Sequence, residues 1–123
     1  MAALTNVEIG SVVITLVSNV PAGVSGLMPM LVNQAIYTAE NYTGLNIPVT
    51  AVQDTYQPAI ISLSIGNTLG LMEAQGLGTK SVKVGELSLT KGINEGTSTE
   101  FKKLGMSQLN DLGHKTSYYT TWN

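Results

Sequence analysis

Gly76-Leu77-Gly78-Thr79-Lys80-Ser81-Val82-Lys83-Val84-Gly85-Glu86-Leu87-Ser88-Leu89-Thr90-Lys91-Gly92 is the stretch whose reading decides the fold. It alternates like a strand. Val82 and Val84 are separated from Leu87 and Leu89 by Gly85-Glu86. With Gly85-Glu86 as a two-residue turn, Gly85 sits first, as a type II′ turn prefers. Val84 then faces Leu87 and Val82 faces Leu89, so four apolar side chains fall on one face. Lys83 and Ser88 point the other way. A lone two-stranded hairpin is marginal in water, so this face needs cover. Two readings stay open. The flap packs on its own helices, or Val82, Lys83, Val84, Gly85, Glu86, Leu87, Ser88 and Leu89 carry contacts to a neighbouring subunit. Glycines on both sides, at 76, 78, 92 and 96, favour an arm that projects or adjusts on assembly.

Helical patterns flank the stretch. Upstream, Ile60, Ile61, Leu63, Ile65, Leu69, Leu71 and Met72 are apolar on nearly all sides, the mark of a central bundle helix. Thr50 or Asp54 is its expected cap, and Pro58 falls in or just after its first turn. Gly66 and Gly70 lie four apart and allow close helix approach. A preceding helix is expected from Ser25 to Gly44, with Leu27, Met28, Leu31, Ala35, Ile36, Ala39 and Tyr42 as its stripe. The first helix is capped by Thr5 or Asn6, with Glu8 where the dipole favours a carboxylate. Ile9, Val12, Val13, Leu16 and Val17 follow at helical spacing. Downstream, Thr97 or Ser98 caps a last helix with Phe101, Leu104, Leu109 and Leu112 inward, and Gly113-His114-Lys115 ends it. The expected fold is mainly α. It is one domain, 1–123: a small four-helix bundle (5–75 and 98–112), a β-hairpin flap (80–91) between helices 3 and 4, and a C-terminal arm (113–123).

Composition narrows the function. Charged residues make up 11% of 123 residues and hydrophobic ones 43%, so the surface is poorly defended against association. There is no arginine, and every lysine lies at or after Lys80, so the first two-thirds are acidic and the rest mildly basic. A net charge of −2 has the wrong sign for a general nucleic-acid binder. Cysteine is absent, which removes disulfides and a thiolate nucleophile. The apolar run from Val12 to Val17 is far shorter than the ~20 residues of a membrane span, and no basic residue precedes it. A soluble protein made in the cytoplasm is expected.

The chemistry expected is not catalytic. His114, Asp111 and Ser117 have the residue types of a hydrolase triad, but they crowd into one short stretch, whereas a triad is a spatial arrangement on a rigid scaffold. One histidine and scattered carboxylates make no convincing metal site. Gly76-Leu77-Gly78 lacks the spacing of a phosphate loop. No cofactor is expected. The tail places Tyr118, Tyr119 and Trp122 in the last six positions. These aromatics close the core or form a docking arm, and aromatic rings at a binding hot spot suit the second role.

The order of elements resembles a known family. A helix ends at Leu16-Val17-Ser18-Asn19-Val20-Pro21, and a second in Ala39-Glu40-Asn41-Tyr42-Thr43-Gly44. A third contains Tyr56-Gln57-Pro58-Ala59-Ile60. Lys80-Ser81-Val82-Lys83-Val84-Gly85-Glu86-Leu87-Ser88-Leu89 follows, then a flexible run and a last helix around Phe101 to Leu112. Over most of its length the chain is similar to the head-to-tail connector (adaptor) proteins of tailed bacteriophages. The resemblance implies a structural subunit of a self-assembled ring, commonly twelve-fold, in the virion neck. It docks under the portal protein, meets the next neck or tail protein, and extends a channel that DNA crosses without sequence-specific binding. Such a protein is made in the host cytoplasm and has no membrane partner. The implied subunit contact is Ser81 to Thr90. The implied portal-docking residues are Leu109, Leu112, Tyr118, Tyr119 and Trp122. A small monomeric protein-binding module with one transient partner is the other reading that the composition allows.

Overall fold

The computed structural model describes the backbone of residues 3–17, 20–75, 82–84, 87–89 and 95–121, and the side chains of 3–17, 20–75 and 98–111. It is mainly helical. The described elements run α1 (Asn6–Leu16), α2 (Ala22–Ser25), α3 (Met28–Thr43), α4 (Gln57–Ala74), β1 (Val82–Val84), β2 (Leu87–Leu89) and α5 (Glu95–Thr121).

α1 starts where its cap dictates. Thr5 Oγ1 accepts from the Glu8 amide at 3.1 Å, and Glu8 Oε1 accepts from the Thr5 amide at 2.9 Å, a complete capping box. Just before it, Leu4 and Val52 exchange two backbone hydrogen bonds, of 3.0 and 2.7 Å, pinning the chain start to the loop ahead of α4. Gly44 ends α3 in the left-handed conformation, φ 73°, with its amide bonded to the Glu40 carbonyl.

The start of α3 differs from expectation. A helix from Ser25 would place Pro29 where its missing amide is needed. Instead, Ala22–Ser25 forms a separate short turn after Pro21, and α3 begins at Met28 with Pro29 in its first turn. The described helices are therefore five rather than four. At α4 the N-cap is Tyr56, not Thr50 or Asp54, and no side chain caps it. Gln57 Nε2 reaches the Val52 carbonyl at 3.0 Å and secures that end from within.

α4 is the hub. Along its 18 residues only Pro58, Glu73 and Ala74 are exposed. Of its buried hydroxyls, Ser64 donates to the Ile60 carbonyl and Thr68 to that of Ser64, while Ser62 donates to Gln108 Oε1 on α5 at 2.9 Å. α1 and α3 pack on one side, where Asn67 Nδ2 donates to the Leu31 carbonyl at 3.1 Å. α5 packs along another side of α4 and also meets α3, and α4 and α5 come very close. A Cβ at Gly105 would lie 2.6 Å from Leu63 Cγ and 3.0 Å from the Ala59 carbonyl oxygen. Gly66 abuts the backbone of Ser98 and Lys102 in the same way. Gly66 and Gly70 permit the close approach their spacing announces.

α5 departs most from expectation. Ser98 does not cap it. The Ser98 hydroxyl is buried and donates to the Gly66 carbonyl at 2.8 Å. The helix also passes Gly105 and Gly113 without ending and reaches Thr121, so the backbone from 113 to 121 is helix and not an arm. An interior glycine costs only ~1 kcal/mol relative to alanine, and no proline follows Ser98 to force a stop. β1 and β2 pair antiparallel, with Val82 opposite Leu89, Lys83 opposite Ser88 and Val84 opposite Leu87. The Gly85-Glu86 link and whatever covers the pair lie outside the described residues.

Candidate docking surface

The outer sides of α1 and α3 are built from an uncharged run. From Ile9 to Ala39 no residue is charged. In α3, Met28, Leu31, Val32, Ala35, Ile36 and Ala39 point inward at helical spacing and are buried. This leaves Met30, Asn33, Gln34, Tyr37 and Thr38 facing out, where they line a shallow groove. Met30 is 46% exposed and Tyr37 67% exposed, seven residues apart on one face. On α1, Ile9 and Val13 point inward while Val7 and Ile14 remain exposed. Asn6 Nδ2 donates to Asn33 Oδ1 at 2.9 Å and ties the two helices together at the surface.

Two carboxylates bound this run in the sequence. Glu8 belongs to the α1 cap, and Glu40 Oε2 accepts from the Ile47 amide at 2.8 Å. Residues 3–75 contain no lysine or arginine to balance them. Aromatic and methionine side chains on a face depleted of charge have the composition of a protein–protein contact centre. Nothing there is arranged for acid–base chemistry. Among the described residues, no three His, Cys, Asp or Glu side chains gather into a metal-binding group. No described helix is long and apolar enough to cross a membrane.

The residues expected to form contacts divide unevenly. Leu109 is a correction: it is fully buried and belongs to the core, because the turn of α5 that carries it lies against α4 and α3. It is not available for portal docking. Leu112, Tyr118 and Tyr119 lie on the backbone of α5, but their side chains are outside the described residues, and Trp122 is outside altogether. The same holds for the side chains of Val82, Lys83, Val84, Leu87, Ser88 and Leu89, and for Gly85 and Glu86 entirely. His114 and Ser117 fall within α5 rather than at a helix end.

Sequence reasoning missed Met30, Gln34 and Tyr37. The signal was present: two large apolar residues seven apart, opposite the expected stripe, in a helix with no charge before Glu40. Tyr42, expected inside, is 45% exposed, and its hydroxyl donates to Asn110 Oδ1 at 2.8 Å, linking α3 to α5. Leu104, also expected inside, is 48% exposed on α5. No protein-family model, curated protein or solved structure matches the chain.

Proposed function

We propose that the chain is a structural ring subunit of a phage neck, which docks under the portal, extends the DNA channel and joins head to tail without catalysis. The observation that carries this reading is the outer side of α3, uncharged from Met28 to Ala39, with Met30 and Tyr37 standing in solvent. A subunit that remained single would gain nothing from such a face, whereas an assembling one buries it. The order of elements supports the reading through its resemblance to phage connectors.

Within this proposal the helices act as a bundle and the paired strands as a flap that reaches a neighbouring subunit. α5 supplies the portal end. It has 27 residues against 18 in α4, about 40 Å against about 27 Å. Gly105 already lies against Ala59, near the start of α4. A straight α5 therefore runs past the body and carries Tyr118 and Tyr119 with it. Docking by a helix end replaces docking by a loose arm.

The test is the mass of the purified protein by light scattering at high concentration, with negative-stain images. Closed rings of about a dozen subunits fit the subunit symmetry that a neck requires. A monomer at every concentration, with or without a portal protein, would remove the ring and leave the monomeric binding module.

A further inference from the structure

α4 and α5 run antiparallel. Gly70 faces Ser98, Gly66 faces Ser98 and Lys102, and Gly105 faces Leu63 and Ala59. The last turn of α4, ending at Ala74, therefore lies at the same end of the body as the start of α5 at Glu95. Antiparallel neighbours in bundles are joined by about 2–8 residues. Here the connection is the whole of residues 75–94. Even with β1 and β2 paired, residues 75–81 and 90–94 lie outside the strands. Fully extended, those two pieces span roughly 40 Å, more than the ~30 Å diameter of a small domain. The seam is also selective. It has no room for a Cβ at Gly66 or Gly105, it needs the Ser98 hydroxyl at the Gly66 carbonyl, and it needs Gln108 at Ser62. The α5 of a second copy meets those demands as well as the chain's own α5.

We propose that copies exchange α5 around the ring read above: the α4 seam of each body receives α5 of the next copy, and each copy gives its own α5 onward. This deepens the ring reading and rests on it. Area selects the seam as the ring contact. Stable interfaces bury about 800 Å² a side, and permanent ones more. The α3 groove alone offers Met30 and Tyr37 as its large apolar groups. The α4–α5 seam is the most extensive of the described helix contacts, and it buries Leu63, Leu109 and the Ser98 hydroxyl. Exchange sacrifices none of these contacts and leaves α4 as covered as before. The giving and receiving faces differ, so the contact is heterologous, the kind that closes a ring.

The seam carries its own test. A Cβ at Gly70 would lie 3.9 Å from the Ser98 Cβ, within the Cβ separation of about 3.5–4.5 Å that a disulfide requires. The chain has no cysteine, so Gly70→Cys/Ser98→Cys offers one pairing only. The double variant is assembled under reducing conditions, checked by circular dichroism, oxidised, and run on a denaturing gel without reductant. Exchange links α4 of one copy to α5 of the next. Most of the linked protein is then expected in bands of two, three and more chains, ending at the ring number and collapsing to one chain on reduction. Tyr42→Cys/Asn110→Cys, joined by a flexible bis-maleimide, repeats the test at two exposed positions whose native side chains meet at 2.8 Å across α3 and α5. This second pair spares the seam, so it reads the exchange even where the first variant does not fold. Rings whose links are all internal to single chains, in either folded variant, would overturn exchange and leave the ring reading intact. A ladder that stops at two chains would mean reciprocal exchange in a dimer and would remove the ring. A wild-type chain that never associates would remove the ring and the exchange together.

Discussion

Gly66→Ala puts the α4–α5 seam to a direct test. The added methyl would sit 2.7 Å from Lys102 Cγ, 3.0 Å from the Ser98 carbonyl oxygen and 3.1 Å from the Lys102 amide nitrogen. The lysine carbon belongs to a flexible side chain and can swing away. The other two atoms are backbone of the facing helix, so relief requires the seam to widen. Overpacking of this kind costs about 1–3 kcal/mol, and the upper half applies when backbone must move. Widening also stretches the 2.8 Å bond from Ser98 Oγ to the Gly66 carbonyl, worth about 1 kcal/mol. Against this, alanine is favoured over glycine in a helix by ~1 kcal/mol. The net expectation is a loss of about 2 kcal/mol, a fall in melting temperature of roughly 8 °C for a chain of this size. Gly23→Ala is the internal control. It lies in α2 with nothing within 4 Å of its missing Cβ, so helix propensity acts alone and stability rises slightly. Urea unfolding followed by far-UV circular dichroism reads both. Gly66→Ala as stable as Gly23→Ala would refute the close seam.

Leu109→Ala is expected to destabilise by about 2–5 kcal/mol, because its side chain is fully buried; unchanged stability with lost partner binding would return Leu109 to the surface. Thr5→Ala removes the acceptor of the α1 capping box and is expected to cost about 1 kcal/mol in urea unfolding, whereas no change would mean the cap is idle. Val84→Asp is expected to abolish rings in negative-stain images while helicity stays constant; rings from the variant would take the flap out of the subunit contact. Deleting Tyr118 to Asn123 is expected to leave the body folded and to abolish copurification with a portal protein, and loss of cooperative unfolding would instead place the aromatics in the core.

Much of the helical framework was legible. The spacing of Ile9 and Val13, of Met28, Leu31, Ala35, Ile36 and Ala39, and of Ile60, Leu63, Leu69 and Met72 matches what is buried. Helix ends were legible where a single local bond decides them, as at Thr5 and Gly44. They were not legible where tertiary contacts decide. Ser98 has the chemistry of a cap, yet its hydroxyl bonds across to Gly66, because close approach of α4 and α5 gives it a carbonyl to reach. Gly113 looks like a stop, but one glycine cannot outweigh a helix already anchored along α4. Leu104 and Leu109 show the same limit within one helix. Both fit an apolar stripe by type, and only the position of the α4–α5 seam determines that Leu109 is buried and Leu104 exposed. The candidate docking surface was hidden for a related reason: an uncharged run reads first as core, and Met30 and Tyr37 separate from it only once the inward face of α3 is fixed.

The burial of α4 has a further consequence for assembly. With Pro58, Glu73 and Ala74 its only exposed residues, α4 offers almost nothing to a partner. Contacts made by the described body then fall on the helices that flank it and on the loops between them, where Leu27 and Val49 are exposed. Those helices are chemically unlike: from Met28 to Ala39 α3 carries no charge and presents Met30 and Tyr37, while α5 presents Leu104 among Glu100, Lys103 and Asp111. An isologous dimer uses one patch twice and gains nothing from this difference. A head-to-tail contact uses each face once. It also leaves every subunit in a closed ring with the same two neighbours, which is the arrangement that makes unlike flanks useful. The glycine seam matters here too, since it fixes α5 against α4 and so sets the angle between the two faces. In the proposed ring, a variant that widens the seam, such as Gly66→Ala, is therefore expected to disturb ring closure in negative-stain images even at temperatures where the subunit stays folded.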